Sequence, residues 1–175
     1  MENVFKENPF PTVVAVITTK YGTTVNAAPV TWFTPCSYDP PLIMVALKSD
    51  SDTLANMLPK KEFVIQTMPS DCSDVVHILA KKLPRNKSEL ELTDGKLRPA
   101  LNSVKVKVPR LANALQWYEC RLWAVSTLVE SHTYVYGQVL HYGENMSDHS
   151  NVLMYCGGLT YGQFDVNKTW EVKPY

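Results

Sequence analysis

The run Val13-Val14-Ala15-Val16-Ile17-Thr18-Thr19 is apolar and β-branched with no polar alternation, which predicts a strand covered on both faces. Lys20-Tyr21-Gly22 reads as a turn, and Thr23 to Phe33 as a return strand. Pro29 interrupts that strand; proline removes a ladder donor, so a bulge or a sheet edge is expected there. Cys36 to Pro41 reads as a turn and Leu42 to Leu47 as a third strand. A Ser/Asp/Thr cluster between Lys48 and Thr53 then supplies helix-capping residues before a short apolar helix that Pro59 should stop. Glu62 to Met68 is a fourth strand. Ser70 and Asp71 are expected to cap a second helix with the stripe Val75, Ile78, Leu79 and Leu83, closed by Pro84. Arg85 to Ala100 is polar and reads as loop. Val104, Val106 and Val108 alternate with lysines, the pattern of a half-buried strand, and Leu115 to Val125 and His132 to His141 read as two longer strands. Many strands with few short helices predict a mainly β fold, a closed or nearly closed barrel in one domain spanning 1–175, with a β-sandwich as the alternative architecture.

Charge narrows the partners. Lys plus Arg and Asp plus Glu both total 17, and no basic run exceeds two residues, which excludes the usual electrostatic footprint of a nucleic-acid or membrane-surface binder. Any anionic ligand is then small and locally held. The start Met1 to Lys6 lacks a secretory pattern, and the longest apolar stretches fall far below the ~20 residues of a membrane span, so a soluble cytoplasmic protein is expected. Cys36, Cys72, Cys120 and Cys156 are widely separated. They predict no metal site and no disulfide framework, only small buried side chains.

Three segments can carry chemistry. Lys48, Ser49, Ser51 and Thr53 bring a cation and hydroxyls to a helix start whose free N–H groups attract a phosphate, although Asp50 and Asp52 oppose it and a plain cap explains the same residues. Asn26 to Phe33 places small residues beside a proline-broken strand, leaving backbone groups and room for a flat ring; an irregular barrel strand is the simpler account. His132 opens a strand in which Gly137 allows close approach, and His77, His141 and His149 share no metal-ligand spacing with it. No nucleophile elbow, P-loop or dinucleotide fingerprint is present.

In this order, these segments resemble the flavin reductase-like, FMN-binding split-barrel family, which includes flavoredoxins. The run Asn26-Ala27-Ala28-Pro29 through Pro40-Pro41, the Lys48 to Thr53 cluster, Ser131-His132-Thr133 before Gly137-Gln138-Val139, and the closing Leu153-Met154-Tyr155 with Gly157 and Tyr161 carry the likeness over nearly the whole chain. The resemblance implies an FMN-binding split β-barrel and a homodimer with flavin near the subunit interface. It implies that Asn26, Ala27, Ala28, Val30, Thr31, Trp32 and Phe33 line the isoalloxazine, with Thr31 the best side-chain donor. Lys48, Ser49, Ser51 and Thr53 would hold the phosphate, and His132, the catalytic candidate, would lie near the nicotinamide or the exposed ring face. Asp52 and Trp32 depart from the pattern: relatives often carry a basic residue and Ser there. The implied activity is NAD(P)H:flavin oxidoreduction, passing electrons to a small-molecule or protein acceptor. A flavoredoxin-type carrier with bound FMN and a non-redox ligand-binding barrel are the alternatives.

Overall fold

The structure is a computed structural model that describes residues 10–84, 86–99, 102–128, 130–145, 151–157 and 160–165. The segment Met1 to Lys6, Arg85, Ala100 and His149 lie outside them. Strands β1 (Thr12–Val13), β2 (Ala15–Tyr21), β3 (Thr24–Val30), β4 (Phe33–Tyr38) and β5 (Pro41–Lys48) lead to helix α1 (Asp52–Lys60). Strand β6 (Glu62–Thr67), helix α2 (Ser73–Ile78) and strands β7 (Gln116–Ser126), β8 (His132–Glu144), β9 (Asn151–Gly157) and β10 (Thr160–Asp165) follow. The mainly β class expected from the pattern holds.

Seven strands form one antiparallel sheet in the order β3-β2-β6-β7-β8-β5-β4, and β1, β9 and β10 form a second. Strands β3 and β4 stand at opposite edges of the large sheet, yet only Thr31 and Trp32 separate them in the chain. The sheet must therefore roll until its edges meet at that link. The Ala46 N–H donates to the Trp32 carbonyl at 2.9 Å, carrying the β4–β5 pairing up to the seam. Full closure would leave no free edge; here the edges join at one end only, and the barrel is split.

Burial follows the pleat. In β2, Ala15 and Ile17 face the barrel interior with Val45, Phe63, Ile65 and Val135, while Val14 (just before the strand) and Val16 pack outside against Val75, Val76, Leu79 and Leu153. That two-sided cover explains why this strand shows no polar alternation. Leu54 and Met57 of α1 join the interior cluster, so the helix plugs one mouth of the barrel. A Cβ on Gly137 would meet the Phe63 ring at 2.3 Å, so the close approach foreseen at this glycine is to an aromatic ring inside the barrel.

Several expectations change. The return strand ends at Val30, and Cys36 to Tyr38, read as turn, belong to β4. Pro59 lies inside the last turn of α1, which ends at Lys61 in the left-handed conformation (φ 59°). Ser70 and Asp71 form a 3-10 turn without capping α2 through their side chains, and α2 ends at Ile78, a turn earlier than its stripe suggests. The Val104 to Val108 segment is not a strand: Val106 and Val108 are buried against Val64, but its amides are claimed by carboxylates. Glu119, fully buried, accepts from Val104 N–H (2.8 Å) and Lys105 N–H (2.5 Å), and Glu62 accepts from Lys107 N–H (2.8 Å). The cysteines divide: Cys72 and Cys120 are buried, but Cys36 and Cys156 are exposed, and all are free thiols.

Candidate functional site

The seam opens a cleft of about 410 Å³, within the range of small-molecule sites. One wall is Ala28, Pro29 and Val30 of β3, continued by Thr31 and Trp32; the facing wall is Ala46, Leu47 and Lys48 of β5. Ser51 and Thr53 at the start of α1 and His132 at the start of β8 complete it, with Ala80 beyond α2. A second cavity of about 220 Å³ shares Ala28, Lys48, Ser51, Thr53 and Ala80, and adds Asp50, Asp52, Lys81, Lys82 and Glu89. One continuous cleft thus has an aromatic, largely apolar half and a charged half.

Each wall has a local cause. The Ala27 N–H points away from β2, since it donates to the Glu89 carboxylate at 3.2 Å. Strand alternation turns residue 29 the same way, so Pro29 stands on the open edge, where a missing N–H costs the sheet nothing. The expected edge at this proline is what the fold provides. At the helix start, Ser51 Oγ accepts from Leu54 N–H at 3.3 Å, and Ser51 N–H donates to the Lys48 carbonyl at 3.0 Å. This cap sets the start of α1 at the cleft, beside Lys48, where an anion is favoured. The β5–β8 register pairs Lys48 with His132, so two strands deliver a cation and an imidazole side by side. The His132 ring lies 4.9 Å from that of Trp32, tilted by 36°, and its Nδ1 is 3.0 Å from Ser131 Oγ.

The structure brings Ala28, Val30, Thr31, Trp32, Lys48, Ser51, Thr53 and His132 together along the cleft. Four other candidates stand elsewhere. Asn26 is buried behind the wall, donating to Glu89 (3.3 Å) and to the Lys87 carbonyl (3.1 Å) and accepting from Asn56 (3.3 Å). Ala27 packs in the outer core and Phe33 against the barrel core. Ser49 is exposed, its Oγ 3.1 Å from Thr133 Oγ1, and ties the β5–α1 link to β8.

Three contributors escaped the sequence reading. Lys81 and Lys82 look like the basic end of a helix, but α2 stops at Ile78 and frees them to reach the charged half. Glu89 sits in a polar stretch with no periodic signal, yet it is only 7 % exposed. Burial pushes its carboxyl above the ordinary glutamate value; hydrogen bonds from its own N–H, Ala27 and Asn26 partly offset this, and Asp52 adds to the rise. No group of three or more His, Cys, Asp or Glu among the described residues could hold a metal, and no helix among them is long and apolar enough to cross a membrane.

With the cleft defined, likeness to known proteins becomes informative. The flavin reductase like domain family matches residues 7–162. The chain belongs to this family. An uncharacterized protein of Methanothermobacter thermautotrophicus is 34% identical over 70% of this chain and 57% of its own length. The chain therefore spans little more than half of that relative. Among solved structures, an FMN-binding protein from Thermus thermophilus superposes with TM-score 0.78 at 27% identity, covering 93% of this chain and 91% of the other. Nitrilotriacetate monooxygenase component B from Bacillus cereus reaches TM-score 0.81 at 23% identity over 97% and 91% of the two chains. As a family member, this chain carries the split-barrel fold expected from its motif order.

Proposed function

We propose that the cleft binds FMN and that the protein is an NAD(P)H:flavin oxidoreductase, passing electrons on to a small-molecule or protein acceptor. The observation that carries this reading is the division of one cleft, in a flavin reductase-like chain, into a flat half walled by Ala28 to Trp32 and a tail half with Lys48, Lys81, Lys82 and the start of α1. The FMN-binding likeness of the Thermus thermophilus protein supports it. A bound flavin would supply the redox chemistry, hydride uptake from a nicotinamide, and the residues that would hold it are those of the cleft.

The chain's own residues bind and orient. Ala28 carries no bulk beyond Cβ, and Pro29 offers no orphaned donor, so this wall would accept a planar ring. Thr31 offers a hydroxyl at the polar rim of the ring. Ser51 and Thr53 hydroxyls, the first α1 amides and the three lysines meet the phosphate. The tilted ring pair of Trp32 and His132 borders the cleft, where His132 would face an incoming nicotinamide and offer a donor to a developing negative charge.

A second copy of the chain completes the site. On β5, Ile43, Val45 and Leu47 are buried inward, but the outward residues Leu42, Met44 and Ala46 are also apolar. Their β8 neighbours Tyr136 and Tyr134 extend this outer face to the cleft rim at Ala46 and Trp32. A sheet apolar on both faces requires cover on both.

Titrating the purified protein with FMN, then adding NADH or NADPH without oxygen, tests the reading. Saturable binding followed by fast bleaching of the flavin absorbance is expected. Binding without bleaching would point to a flavoredoxin-type carrier, and no binding would leave a non-redox barrel.

A further inference from the structure

Glu89 has no place in the flavin-binding scheme above, yet it connects three of its parts. It opens a 3-10 turn, Glu89–Thr93, that lies along the open edge of β3. Its Oε2 accepts from both Ala27 N–H (3.2 Å) and Asn26 Nδ2 (3.3 Å), taking the place of a neighbouring strand for that stretch of edge. Ser88 Oγ donates to the Val25 carbonyl at 2.5 Å, one step earlier along the same edge. Asn26 in turn accepts from Asn56 of α1, so the carboxylate, the flavin-facing strand and the phosphate-facing helix form one hydrogen-bonded unit. Glu89 also lines the charged half of the cleft.

We propose that Glu89 is a positioning and specificity residue of the flavin site: it fixes the wall strand through Ala27 and Asn26, and its charge sets how strongly the tail cavity favours a phosphorylated flavin over an unphosphorylated one. The inference rests on the flavin reading of the cleft. A buried carboxylate beside a phosphate dianion opposes it, in low-dielectric surroundings where screening is weak. The other charged groups facing this cavity are Asp52 of α1, Lys48 and Asp50 at the β5–α1 link, and Lys81 and Lys82 beyond α2. Of these groups Glu89 is the one whose charge burial disfavours: its proton affinity is raised above the ordinary glutamate value, so it loses its charge as pH falls.

The test measures dissociation constants of the apo-protein for FMN and for riboflavin, which lacks the phosphate, in wild type and Glu89→Gln. Gln keeps an oxygen for the two bonds that Oε2 accepts, so the wall strand stays in place. At pH 8 the variant should bind FMN about five- to tenfold tighter, with riboflavin affinity changed less than twofold. That FMN advantage should vanish as pH falls and the wild-type carboxyl becomes neutral, because the two proteins then present the same charge. The phosphate's second ionisation, at about pH 6, lowers its charge and narrows the gap in the same direction, so the gap is read both above about pH 7, where the phosphate stays a dianion, and below it. A Glu89→Ala variant, which removes the acceptor altogether, should weaken both flavins. If Glu89→Gln leaves FMN affinity unchanged, shifts riboflavin equally, or gains by the same factor at every pH, the charge role is overturned while the flavin reading stands. If the wild type binds neither flavin, both fall together. Should Glu89→Gln unfold, Glu89→Ala and Asn26→Ala remain, and equal riboflavin affinity in both would overturn the positioning role.

Discussion

Thr53 is 9 % exposed and lies where the two halves of the cleft join, its hydroxyl presented by the first turn of α1. We expect Thr53→Ala to weaken FMN binding by about 1–3 kcal/mol, the range for a hydrogen bond to a charged group. Isothermal titration reads this directly, and unchanged affinity would remove the hydroxyl from the phosphate site. His132 is a different case. It borders the cleft, its ring tilted against that of Trp32, and should act on the donor more than on the flavin. His132→Ala is expected to slow reduction by NAD(P)H roughly a hundredfold, the lower end of the range for a positioned polar group acting on developing charge, while FMN affinity changes little. Stopped-flow reduction beside a flavin titration separates the two, and equal effects on both would make His132 a simple wall residue. Both residues are legible in the sequence because they stand at element starts, where capping clusters and strand entrances leave a mark. Glu89 and Asn56 leave none. A buried carboxylate is visible only once β3 runs past it.

At the scale of elements, β2 was legible because two-sided burial writes itself as an unbroken β-branched run. The clearest departure has a physical cause: side chains claim backbone groups that pattern alone assigns to a ladder. Val104 to Val108 alternates as a strand does, but Glu119 and Glu62 take its amides. The edge of β3 is satisfied by Glu89 and Ser88 in the same way. The shortness of α2 was equally hidden, since Leu79 is buried in the outer core although it lies past the helix end. Gly137 of β8 gives an element-scale test. It is buried, and its missing side chain leaves room for Phe63, itself fully buried inside the barrel and without space to swing away. Gly137→Ala should destabilise folding by about 1–3 kcal/mol through overpacking. The double variant Phe63→Leu with Gly137→Ala should recover part of that loss, since the clashing atoms belong to the ring. Urea unfolding of the four proteins in the cycle measures the coupling, and strictly additive effects would mean the clash is relieved by backbone movement elsewhere.

For the whole molecule, the site exists because the sheet closes through two residues. A barrel sealed along its length would leave no edge for a ring to approach, and an open sheet would not bring β3 and β5 to face one another. The class of fold was readable from strand count, but the seam was not, because Thr31 and Trp32 look like ordinary members of a continuing strand. The same closure has a consequence for assembly. Rolling the sheet buries one face of β5 and β8 and turns Leu42, Met44, Ala46, Tyr134 and Tyr136 outward, with Trp123 at 57% exposure on neighbouring β7. Water contact over such a face costs about 25 cal/mol for each Å² of apolar surface, and a second copy would supply the same apolar face in return, as two-fold interfaces require. Sedimentation should therefore give a dimer, and Met44→Glu should shift it to monomer by placing a charge in the apolar contact. Circular dichroism should stay unchanged, because Met44 points away from the barrel core that holds Ile43 and Val45. As this face reaches the cleft rim, the monomeric variant should also bind FMN more weakly than the dimer. A wild type that sediments as a monomer across a wide dilution range would remove the partner copy, and a monomeric variant with full flavin affinity would show that one chain completes the cleft alone.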